Sequence, residues 1–132
     1  MSMKRKLIGL LAWTVMFGSL QAQEFPQAPT DLPHLMGADL FIDLAQYEGK
    51  QVVIIDGYVF GANNDGAFLR AGAVSFRVRT DGIDRETFRF FLKNCHGIGE
   101  TSGCKVLLLA TPTGKATSVS NSPELTGVKI VR

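Results

Sequence analysis

The hydrophobic period of this chain switches back and forth, and the order of the switches limits the fold more than any single motif. From Ala38 the segment ADLFIDLAQYEGK places Leu40, Phe41, Leu44 and Tyr47 at positions i, i+1, i+4 and i+7. That spacing predicts one short helix with a single apolar stripe, ended by Gly49. Strand character follows at once in QVVIIDGYVFG, with Val53, Ile55 and Val59 on one face and Val52, Ile54, Tyr58 and Phe60 on the other. This is a strand expected to be buried on most of both faces, and Gly57 predicts a bulge or bend within it. Asn63-Asn64-Asp65-Gly66 reads as a hairpin turn, because these residues tolerate left-handed backbone. Ala67 to Ala71 and Val74 to Thr80 read as the second and third strands, with Phe76 and Val78 pointing one way and Arg77 and Arg79 the other.

The helical period returns in DRETFRFFLKNC. Asp84 is the expected N-cap and Glu86 favours the positive helix start. Phe88, Phe91, Leu92 and Cys95 form the expected core stripe, which leaves Phe90 on the exposed side and Gly97 as the terminator. Next, KVLLLATPT reads as a fourth strand, GKATSVSNSPELTG as a polar connection and VKIVR as a closing strand. Helix, three strands, helix and two strands is the order of a five-stranded Greek-key barrel with its helix between strands 3 and 4. With Tyr47-Glu48-Gly49-Lys50-Gln51-Val52 leading into the first strand, the pattern over residues 38–131 resembles exported bacterial OB-fold domains, whose helix ends in Tyr-x-Gly-Lys-x-Val. The resemblance implies a mainly β fold, a small OB-like barrel with a short N-terminal helix. The alternative is another small Greek-key barrel or sandwich capped by helices.

Lys4, Arg5 and Lys6, an apolar run from Leu7 to Leu20 and the small residue Ala22 make residues 1–22 an expected secretory signal peptide of bacterial form. The run is about 14 residues, short of the ~20 that span a bilayer, so no membrane span is expected after its removal. Residues 23–37 then form an extended lead-in with three of the chain's five Pro, and residues 38–132 the barrel domain. Without its signal the chain has 14 − 3 = 11 Lys and Arg against 12 Asp and Glu, a net charge near −1. A protein that binds polyanions without sequence preference shows a charge excess, so nucleic acid is not the expected partner. In the oxidising compartment outside the cytoplasm, whether periplasm or exterior, Cys95 and Cys104 are expected to close a short Gly-rich loop as a disulfide.

No motif specifies a reaction. Pro112-Thr113-Gly114-Lys115-Ala116-Thr117 lacks the earlier Gly, the Ser or Thr after Lys and the following helix of a phosphate loop, and reads as a strand-connecting loop. The two His residues, His34 and His96, come with no nucleophile elbow. Cys95, His96 and Cys104 lack a fourth zinc ligand, and the acidic loop residues make no calcium pattern. The chain is therefore read as no enzyme, with no catalytic residue, metal or cofactor. What stands out is the outer side of strands two and three, where Arg70, Arg77 and Arg79, with Tyr58 and Phe68 nearby, offer a basic and aromatic surface. Its expected partner is a small anionic ligand or an envelope protein. The competing expectation is a solvated strand face whose Arg residues pair with Asp or Glu across the sheet, in a structural or inhibitory accessory protein whose contacts lie on the exposed helix side around Phe90 and the loops.

Overall fold

The computed structural model describes residues 25–98, 104–116 and 122–132. Its elements in chain order are β1 (His34–Leu35), α1 (Gly37–Ile42), α2 (Leu44–Tyr47), β2 (Val52–Asn63), β3 (Gly66–Ala71), β4 (Val74–Arg79), a 3-10 turn (Thr80–Gly82), α3 (Arg85–Asn94), β5 (Lys105–Ala116) and β6 (Pro123–Val131). Strands β2, β3 and β4 form an antiparallel meander, β4 pairs in parallel with β6, β6 pairs antiparallel with β5, and β5 returns to β2. The ring is closed. It is a five-stranded mixed barrel of OB-like form, with α3 between the third and fourth barrel strands as the sequence order predicts and β1 added in parallel to β2.

β2 makes the closure possible because its two halves have different neighbours. Val52, Val53 and Ile54 pair with Ala110, Leu109 and Leu108 of β5, whereas Tyr58, Val59 and Phe60 pair with Arg70, Leu69 and Phe68 of β3. Between them the register shifts, between Ile54 and Gly57, where the bulge was expected. The bulge also corrects the face assignment: Val52, Ile54 and Val59 all enter the same core, and Ile55 is exposed. An extra residue reverses the pleat, so strict alternation cannot be carried across it.

The barrel is filled by residues such as Leu69, Phe76, Leu108 and Leu125. α3 packs Phe91 into that core. Its cap is the expected one, the Asp84 carboxylate accepting from the Thr87 N–H at 3.3 Å. Its buried stripe is not: Thr87, Phe91 and Cys95 face the core, Leu92 is exposed and Phe90 is half-buried against Phe25, ring centroids 5.5 Å apart and edge to face. Thr87 can occupy an apolar stripe because its hydroxyl accepts the Ile130 N–H at 2.8 Å, so no buried donor is left unpaired. Burying Phe91 stabilises by roughly 1.5–3 kcal/mol. Cys95 ends α3 and is disulfide-bonded to Cys104, which stands just before β5, so the expected bridge staples helix to strand.

Two further expectations change. The helix after Ala38 is two short helices, since Asp43 leaves helical geometry and serves as the C-cap of α1 and the N-cap of α2. α1 sits so close to β3 that a Cβ on Gly37 would collide with the Ala71 side chain, and the Gly37 N–H donates to Asp56 Oδ1 at 2.8 Å. The polar segment read as a connection is largely strand: β5 continues to Ala116, and β6 begins at Pro123 with Leu125 buried. Pro tolerates that place because a first strand residue need not donate to the ladder. Only residues 117–121 of that connection lie outside the described residues.

The lead-in packs against the barrel. Ala28 N–H donates to Arg132 O at 2.9 Å, Arg132 N–H to Pro26 O at 3.0 Å and Val53 N–H to Pro33 O at 2.8 Å. Ala28 and Leu32 thereby cover Val53 and Val131 on the outside of the barrel wall, a second apolar cluster with Leu107 and Leu109.

Candidate functional site: a basic and aromatic face

Cross-strand partners share a side of the sheet, so the register alone assembles the surface outside β2, β3 and β4. One rung of partners runs Lys105, Tyr58, Arg70, Ser75, and the next runs Phe60, Phe68, Arg77, Glu124. A third pairs Gly66 with Arg79. The inward neighbours Val59, Leu69, Phe76 and Val78 are buried and fix the orientation of every outward side chain. Tyr58, Phe68, Arg70, Arg77 and Arg79 therefore lie on one face.

The rings are ordered by each other. Phe60 and Phe68 stack with centroids 5.5 Å apart and planes 20° from parallel, and Tyr58 follows Phe60 at 6.5 Å and 25°. On the other side of Phe68, the Arg77 guanidinium lies over the ring, with Cζ 4.8 Å from the centroid. A cation over an aromatic face gains ~0.5–1 kcal/mol and can still offer N–H groups to an anion. Gly61 contributes by omission: with φ at 60°, its missing side chain leaves room for the Phe68 ring beside it.

The charges around this stack are mostly positive. Arg70 is exposed and donates from Nε to Gly72 O at 3.4 Å, Lys105 is exposed, and Arg79 pairs with Asp81 at 3.7 Å with both side chains mostly in solvent. Glu124 is the carboxylate beside Arg77 in the register. An exposed pair such as Arg79 and Asp81 contributes ~1 kcal/mol or less, so an incoming carboxylate can compete for the cation.

Sequence reasoning missed Phe60 and Lys105. Phe60 was placed on the same strand face as Tyr58, which was the available signal, but the ring's role depends on the β2–β3 register. Lys105 follows Cys104 directly and joins the face only because β5 closes onto β2 opposite Tyr58. The disulfide segment borders the same rim: Gly61 N–H donates to Gly97 O at 2.9 Å and Ala62 N–H to Cys95 O at 3.0 Å. Among the described residues no group of three or more His, Cys, Asp and Glu is arranged to hold a metal ion. No helix among them is long and apolar enough to cross a membrane.

The chain is thus an OB-like barrel with a basic, aromatic outer wall. No protein-family model matches it, and neither a curated protein nor a solved structure does.

Proposed function

We propose that this chain is an exported, non-enzymatic binding module that recognises an anionic ligand or partner on the outer face of β2, β3 and β4. The observation that carries the reading is the guanidinium of Arg77 laid over Phe68, whose other side takes Phe60. A preordered cation loses little conformational freedom on capturing an anion, which raises affinity without new contacts. Export is supported by the amino-terminal pattern of residues 1–22 and by the Cys95–Cys104 disulfide, a bond that persists in oxidising compartments. The accessory-protein alternative drew on an exposed Phe90, and that ring is packed against Phe25.

A thermal-shift screen of residues 23–132, oxidised and at low salt, tests the proposal with anionic sugars, acidic peptides and oligonucleotides as probes. At least one anionic class should raise the Tm, and the shift should fade with salt and vanish in the Arg77→Glu, Arg79→Glu double variant. A shift that survives in that variant would place the site elsewhere.

A further inference from the structure

The cations on the face have a period. Three successive rungs of the β3–β4 ladder, Arg70 with Ser75, Phe68 with Arg77 and Gly66 with Arg79, each carry a single Arg. Rungs that share a face are two residues apart, so these cations recur about every 6.8 Å along the strand direction. In an extended peptide, side chains on one side recur at the same interval. We propose that the face docks an extended acidic segment of a partner protein, with carboxylates at alternate positions aligned on Arg70, Arg77 and Arg79. This deepens the functional reading above and rests on it.

Other features of the face favour a peptide over the remaining anions. Three rungs span about 14 Å, more than one small oxyanion can bridge. Phe68 lies between Phe60 and Arg77 in the ladder, so a base stacking on that ring has to compete with the guanidinium. β4 already pairs with β3 and, at Arg77 and Val78, with β6, so recognition there goes through side chains and the spacing of charges sets selectivity. Glu124 beside Arg77 and Asp81 beside Arg79 are the carboxylates a partner has to displace or avoid. Planar guanidinium groups pair with carboxylates through two parallel hydrogen bonds, which makes the match directional.

The test uses two labelled hexapeptides of identical composition, one alternating Glu and Thr and one with three Glu followed by three Thr, measured by fluorescence anisotropy against residues 23–132 at low salt. Hexathymidylate serves as an unlabelled competitor. The alternating peptide should bind at least about threefold more tightly than the block peptide, by roughly 0.65 kcal/mol. Arg79→Gln, an exposed substitution, should erase the difference while circular dichroism stays unchanged. Equal binding of the two peptides would overturn the register match and leave the anion-binding face standing. Displacement of the alternating peptide by hexathymidylate at equal or lower concentration would overturn the choice of a peptide. Absence of binding by every anion, in this assay and in the thermal screen, would remove the face reading as well.

Discussion

The barrel wall has two outer sides, and they are finished in opposite ways. Outside β2, β5 and β6 the wall is apolar and clad: Val53 and Val131 are buried beneath Ala28 and Leu32 of the lead-in. Outside β2, β3 and β4 it is bare of any other described segment, and its rings are packed on each other and on Arg77. β2 takes part in both, with Val53 before its bulge on the clad side and Tyr58 and Phe60 after it on the bare side. An apolar wall needs covering by its own chain, while a wall of half-exposed rings and guanidinium groups is soluble as it stands. The difference separates side chains that the lead-in buries from side chains that stay at the surface.

A matched pair of substitutions would break this comparison most directly. Val53→Asp buries an unpaired carboxylate and should cost about 3–5 kcal/mol in urea denaturation, or else release the lead-in. Phe60→Asp on the bare side should cost about 1–2 kcal/mol, because the new charge stays in reach of water and of the nearby cations. Similar costs at both sites would mean that the lead-in does not shield the wall.

The disulfide comes next, and it sharpens the comparison because it touches both functions. Replacing Cys95 and Cys104 together by Ala should lower stability by about 2–3 kcal/mol, the chain-entropy value for so short a loop. It should also weaken binding on the bare side, since the segment held by Cys95 pairs with Gly61 and Ala62 beside Phe60. Denaturation and anisotropy on the same variant read the two effects separately. The smallest stability effect belongs to Arg77→Met, which removes the cation over Phe68 and should cost below about 1 kcal/mol. The same change should abolish the response to anionic probes. A large loss of stability there would make Arg77 a structural residue.

Local signals carried much of the fold. The Asp84 cap, the alternation of Phe76 and Val78 with Arg77 and Arg79, the hairpin at Asn63 to Gly66 and the Cys pair each depend on a few neighbouring residues, and each stands as expected. In the hairpin the Asn63 side chain accepts the Asp65 N–H at 2.8 Å, the local bond that such residues supply. What escaped depends on contacts distant in sequence. Phe90 is half-buried because Phe25 crosses over it, and Thr87 belongs to the core because Ile130 donates to it. The polar run through Glu124 is strand because β4 and β5 flank it, which composition does not reveal. The site was legible as a set of side chains on one face. Its inner order, Phe60 between Tyr58 and Phe68 and then Arg77, required the register.

The bonds between Ala28, Pro26 and Arg132 join the two ends of the described chain, and this has a consequence in time. In sequence the lead-in precedes every strand of the barrel, whereas Arg132 follows the last of them. Without β6 in place, Ala28 and Leu32 have only part of the surface they cover, because Val131 belongs to it. Contacts between residues so far apart in sequence are slower to form than local ones. A barrel that closed before the lead-in docked would show this apolar wall to other chains, and the cladding is what hides it.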